Sequence, residues 1–230
     1  MNRTKSFLIN VKGENKRLKN SISQFEKYKI EYEVFYAIGS NGTFNDDPAV
    51  KKYIDERNGL GKEYRNRNMK WIGNKYLQCL NGILKDGNAG DKSLRLTNLS
   101  LLKYIIDNNI HKTCKYIGVF EDDFLINDEA YKKIDECLKY NNHDFVICDE
   151  RNNGGYLSHG SNCVFINSQI IETYYKNIDL GSEFERTHWF MHKNHSLWDL
   201  YIFDYIKTYH NSNYHIIPCL YLTNEPSCIK

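Results

Sequence analysis

The first 38 residues change hydrophobic period twice. Ser6–Asn10 (SFLIN) is a short apolar run of strand length, and Glu14–Lys29 carries Leu18, Ile22 and Phe25 at helical spacing with charge on the other face. Glu31–Ile38 (EYEVFYAI) then alternates and is rich in β-branched and aromatic residues, which predicts a second strand. A strand, a helix and a strand of these lengths form a parallel pair with a crossover, and such crossovers are right-handed almost without exception. The chain is committed from its start to an open sheet with helices on its faces.

The remaining pattern extends that sheet. Helices are expected at Ser93–Asn109, Asp128–Tyr140, Gln169–Lys176 and Ser196–Thr208. Strands are expected at Lys115–Phe120, Asp144–Cys148, Asn162–Ile166 and His215–Leu222, the last an edge or bulged strand because of Pro218. Gly39–Gly90 is rich in Gly, Asn and charge and too poor in apolar residues for a core of its own. It reads as a loop-rich excursion with short helices near Pro48–Arg57 and Trp71–Leu84. The expectation is one α/β domain over residues 1–230, a mixed sheet flanked by helices.

Composition narrows the function classes. A net charge of +2, from 31 Lys and Arg against 29 Asp and Glu, gives no strong electrostatic footprint for nucleic acid or a membrane surface. The N-terminal MNRTKSFLIN lacks the apolar run of a secretory signal, and no run reaches membrane-spanning length, which predicts a cytoplasmic protein. The seven cysteines form no C-x-x-C pair and read as small hydrophobes in a reducing compartment.

The segment KYIGVFEDDFLIN places Glu121, Asp122 and Asp123 at the end of a buried-type strand. Three adjacent like charges beside a core require a positive partner. In an open α/β sheet the carboxyl ends of the strands form the ligand crevice. Along an extended chain Glu121 and Asp123 share one side and Asp122 takes the other. Converging carboxylates suit a hard divalent cation that also takes phosphate oxygens, Mn²⁺ or Mg²⁺, with Glu121 and Asp123 as its ligands. The alternative is an acidic turn that caps the helix starting near Asp128.

Several segments together resemble glycosyltransferase family 25, the lipopolysaccharide and collagen galactosyltransferase type. FLINVKGENKRL resembles its opening strand and charged stretch, and QFEKYKIEYEVFYAIGSNG its helix-to-strand passage. LLKYIIDNN with YIGVFEDDF resembles its acidic-motif strand and preceding helix. GYLSHGSNCVFINSQIIE and SLWDLYIFDYI resemble two later segments in the same order. The resemblance implies a Rossmann-like, A-type, metal-dependent and inverting transferase. Its donor would be a UDP-sugar or another nucleotide-diphosphosugar, and its acceptor a glycan, lipopolysaccharide or protein. One departure is Thr97-Asn98, which stands where the family has Ser-His.

The remaining candidates follow from these two readings. Asp199, in the position of the family's late Asp, is the candidate base for the acceptor hydroxyl; its other reading is a carboxylate in the first turn of a helix. Asn10, Lys12 and Arg17 follow the first strand, where nucleotide and diphosphate would lie, with solvated helix charge as the other reading for Lys12 and Arg17. Asp122 and His159 complete the set proposed to face the donor. His188, His192 and His195 lack the HExxH context of a zinc site, and Arg65, Arg67 and Trp71 suit either an anionic acceptor or a plain surface loop. Two other functions stay open: a degenerate module that binds glycans or nucleotide sugars without turnover, and a metal-dependent phosphoesterase.

Overall fold

The computed structural model describes residues 4–38, 89–148, 163–179 and 198–217, with a few positions between them at 48–49, 51–52, 55–56, 152–153, 156–157 and 182. Most of the expected excursion, His159, the three clustered histidines and the segment from Pro218 onward lie outside the described residues, as does the helix expected at Trp71–Leu84.

The opening unit forms as the pattern requires. β1 (Thr4–Asn10) leads through a turn into α1 (Asn15–Lys27) and then β2 (Tyr32–Tyr36), which pairs parallel with β1. The turn needs Gly13, whose φ of +101° lies in a region that side chains disfavour. α1 stops two residues earlier than its periodicity suggests. Lys29 N–H bonds to Glu26 O and Ile30 N–H to Phe25 O, with Lys29 itself left-handed at φ +53°. This is the double hydrogen-bonded helix stop usually built on glycine, here carried by lysine.

α2 (Ala89–Asp107) and β3 (Tyr116–Glu121) follow, then α3 (Asp128–Tyr140) and β4 (Phe145–Cys148). A short hairpin, β5 (Asn152–Asn153) with β6 (Tyr156–Leu157), precedes β7 (Cys163–Asn167). α4 (Ile171–Ile178), α5 (Trp198–His210) and β8 (Tyr214–Ile217) complete the described elements. The main sheet has six strands in the order β2-β1-β3-β7-β4-β8. β7 runs antiparallel to β3 and β4, whereas β1–β2, β1–β3 and β4–β8 are parallel. The fold is therefore α/β, with a mixed sheet, and β8 is the last of its described strands.

Strand alternation sorts the core into two layers. Phe7, Ile9, Ile117, Val119, Phe145 and Ile147 face α2, α4 and α5. Leu8, Tyr116, Phe120, Val146 and Phe165 face α1 and α3. Cys114, Cys137, Cys148 and Cys163 are buried among these apolar side chains, which is how small hydrophobes behave. Among the described residues no helix is long and apolar enough to cross a membrane.

At the β8 edge the rings of His143 and His215 stack with centroids 5.2 Å apart and planes 14° from parallel. Burial, and then the neighbouring His215, hold His143 below its ordinary value of 6.5, while Asp144 pulls it upward. The folded chain thus binds fewer protons there than the unfolded one. The contribution is complete above pH 6.5 and is lost as pH falls through the depressed folded value. His143→Gln is expected to flatten the fall of the thermal midpoint between pH 7.5 and 5.5. Parallel wild-type and variant curves would remove the histidine pair as its cause.

Candidate functional site

β2 lies on one side of β1 and β3 on the other, so the connection reverses direction at β1. The carboxyl ends of β1 and β3 form that switch point, where open α/β sheets bind ligands. Ile9 pairs with Glu121 at the end of the ladder, which sets Asn10 beside Asp122. The acidic triplet therefore stands at the switch point.

The three carboxylates part company there. Asp122 is buried at 7% exposure, while Glu121 and Asp123 are only partly buried. Asn10 Nδ2 donates to Asp122 Oδ2 at 2.6 Å and the Val11 N–H to the same oxygen at 3.3 Å. The Arg17 guanidinium, itself 6% exposed, lies 3.5 Å from Asp122 Oδ1 and 3.9 Å from Asp123 Oδ2. The separation of Asp122 from its neighbours comes from a turn after Glu121 rather than from extended alternation. Burial pushes the Asp122 carboxyl above its ordinary value, against the pull of Asn10, Arg17 and the Val11 N–H. A carboxylate held where desolvation outweighs its partners is characteristic of functional sites.

The turn itself is held by one stripe of α1. Arg17, Ser21, Gln24 and Tyr28 recur at intervals of four, three and four residues, which aligns them on a single helix face. Ser21 Oγ donates to Asp122 O at 3.1 Å, and Gln24 donates to Phe124 O at 3.1 Å while accepting from Ile126 N at 2.6 Å. Tyr28 OH donates to Ile126 O at 3.1 Å and lies 2.8 Å from Asp128 Oδ1. Phe124 and Ile126 anchor the turn in the core at 1% and 7% exposure. This stripe was legible only as polar residues beside the apolar Leu18–Ile22–Phe25 face, and nothing local said what they would meet.

The capping alternative for the triplet has another occupant. Asn127 Oδ1 accepts the Ala130 N–H at 2.7 Å and caps α3, with Asp128 and Glu129 in its first turn.

Of the other candidates, Lys12 is exposed in the β1–α1 turn, beside the switch point. Asp199 is the second residue of α5, a helix of 13 residues, or about 20 Å at 1.5 Å per residue. The far end of α5 is pinned by His210, whose Nδ1 lies 2.7 Å from Asp144 Oδ2 at the start of β4. The start of α5 therefore points toward the carboxyl ends of the strands, the end that carries the triplet. Thr97 and Asn98 are buried and make local bonds: Thr97 Oγ1 accepts Ile38 N–H at 2.9 Å and donates to Ser93 O at 2.7 Å, and Asn98 Nδ2 donates to Leu94 O at 2.9 Å.

The chemistry at the triplet is of the right kind for a hard cation, since Glu121 and Asp123 offer carboxylate oxygens next to one turn. It is not a closed cage: among the described residues no three His, Cys, Asp or Glu side chains converge as a metal site. A cation there would take its remaining ligands from substrate phosphate oxygens and water, as Mg²⁺ does elsewhere.

No family model matches the chain, and no curated protein matches it. A solved structure to which it is similar is a glycosyltransferase involved in the glycosylation of the major capsid of PBCV-1. The likeness covers 93% of this chain and 80% of that one at 9% identity and a TM-score of 0.44.

Proposed function

We propose that the chain transfers a sugar, with inversion, from a nucleotide-diphosphate donor to a hydroxyl of a glycan, lipid-linked or protein acceptor. The observation that supports this reading is the acidic turn at the switch point. One carboxylate, Asp122, is buried and bonded to β1 and α1, while Glu121 and Asp123 on either side of it are only partly buried at the carboxyl end of β3.

In this reading Glu121 and Asp123 would hold Mn²⁺ or Mg²⁺, which would supply positive charge against the donor diphosphate. Asn10, Arg17 and Asp122 position that pair of carboxylates, and Lys12 offers an exposed ammonium to donor phosphate. His159 stays a candidate donor contact. Asp199 accepts the proton of the acceptor hydroxyl; the acceptor oxygen bonds to the anomeric carbon as the bond from that carbon to the diphosphate oxygen breaks. Residues that hold the reactants in line supply most of the rate gain.

The buried local bonds of Thr97 and Asn98 favour a second reading, a module that binds nucleotide sugars without turnover. A thermal-shift screen of nucleotide sugars with and without Mn²⁺, followed by donor hydrolysis, separates the two. Transferase activity requires both a metal-dependent shift and hydrolysis; a shift alone supports the binding module, and no shift with any donor rejects both. Asp123→Ala is expected to remain folded by circular dichroism, lose the Mn²⁺-dependent shift, and lower donor hydrolysis about 100-fold, on the order of 3 kcal/mol. Wild-type hydrolysis by that variant would remove Asp123 from the metal site.

A further inference from the structure

The sheet face that carries α1 and α3 has a gap in its side-chain cover. Ser6 on β1 pairs in register with Gly118 on β3, and Gly118 with Phe165 on β7. A Cβ on Gly118 would lie 2.9 Å from the Phe165 ring and 3.0 Å from both the Phe120 ring and Ser6 Oγ. Only glycine lets these groups lie so close to the strand. Above them opens a cleft of about 320 Å³, closed on one side by the turn at Lys29 and on the other by Tyr131 and Leu138 of α3.

We propose that this cleft binds a flat, neutral, bicyclic aromatic molecule bearing one hydrogen-bonding group. Its size sets the first limit: an apolar cavity of about 150 Å³ accepts a benzene ring, so this one accommodates two fused rings. Its walls set the second, because the aromatic side chains of Phe120, Phe165 and Tyr131 line it together with Ile134 and Leu138. Ser6 sets the third. It is fully buried, it lines the cleft, and its hydroxyl finds no hydrogen-bond partner among the described residues. A buried hydroxyl without a partner is costly, and a phenolic O–H or ring N–H would meet it. Lys29, Glu31 and Asp135 line the same cleft, so its wall carries both signs of charge rather than a cluster of one sign. The cleft is built on the start of β1 and the end of α1, away from the switch point, so it stands independently of the proposed transferase activity.

The test uses the full chain with indole and 2-naphthol as probes, read by saturation-transfer NMR and thermal shift. Both probes are expected to bind the wild type. Ser6→Ala keeps the space and removes the hydroxyl, and is expected to weaken 2-naphthol by about 5- to 10-fold, the effect of one hydrogen bond. Leu138→Trp fills the cleft and is expected to abolish saturation transfer, with circular dichroism as the check that it folds; Ile134→Phe is the second filling variant should Leu138→Trp fail to fold. No binding of either probe to the wild type overturns the proposal. So does binding that survives a folded, cleft-filling variant.

Discussion

Asp122→Ala is expected to lower the unfolding free energy by about 3–5 kcal/mol, because it strips a buried guanidinium of its nearest counter-charge. Arg17 is 6% exposed and Asp122 sits 3.5 Å away, with Asn10 and the Val11 N–H on its second oxygen. Asp123 at 3.9 Å stays within reach of Arg17, which places the loss at the lower end of that range. Asn10, 1% exposed, loses its 2.6 Å acceptor in the same step. Asp122→Asn keeps the shape and removes only the charge, and is expected to cost less than alanine. The double variant Arg17→Met with Asp122→Leu removes both charges and is expected to regain most of the loss, as buried pairs replaced by apolar residues do. Urea unfolding at pH 7 measures all three. An alanine variant within 1 kcal/mol of wild type, or a double variant no better than the single one, would show that the pair does not hold the turn.

The order of these effects also shows what the sequence made readable. Hydrophobic pattern alone located β1, α1, β2, α3, β4 and β7 within a few residues, because the helices bury one face on the sheet and the central strands are apolar on both. The stop of α1 falls two residues before the end of the helical pattern because Lys29 adopts a backbone conformation that glycine normally announces. The hairpin of β5 and β6 is two residues per strand, too short to have a period. At the site, the carboxylates and their place at a strand end were legible, since an acidic run after an apolar one is a local signal. Their positive partner was not: Arg17 is 105 residues from Asp122 in sequence, and its place on α1 suits diphosphate or solvent equally well. Ser21, Gln24 and Tyr28 were missed for the same reason. A polar stripe on a helix looks like a solvated face until the topology sets a turn full of backbone groups against it.

Phe145→Ala is the second large effect, expected at about 3–5 kcal/mol. Phe145 is fully buried at the start of β4. Its ring meets Tyr174 of α4 edge-on at 5.1 Å, His210 at the end of α5 at 5.2 Å, and Tyr205 at 6.3 Å. The cost of a vacated core position depends on how far the surroundings can collapse, and here they are pinned. β4 is hydrogen-bonded to β7 on one side and β8 on the other. Asp144 N–H bonds to Asn213 O at 2.8 Å, and Asp144 Oδ2 lies 2.7 Å from His210 Nδ1. Each aromatic pair adds about 0.5–1.5 kcal/mol beyond its buried area, which moves the expectation toward the upper end. Phe145→Leu, which keeps most of the volume, is expected to cost less than half as much. Tyr140→Ala, at a residue 73% exposed, is expected to stay within about 0.5 kcal/mol. Hydrogen exchange should then show faster opening of α4 and α5 in the alanine variant, with the β1–β3 ladder changed least. Because α5 also carries Asp199 toward the carboxyl ends of the strands, loosening that leaves α4 and α5 untouched would break the link drawn between this ring cluster and the candidate base.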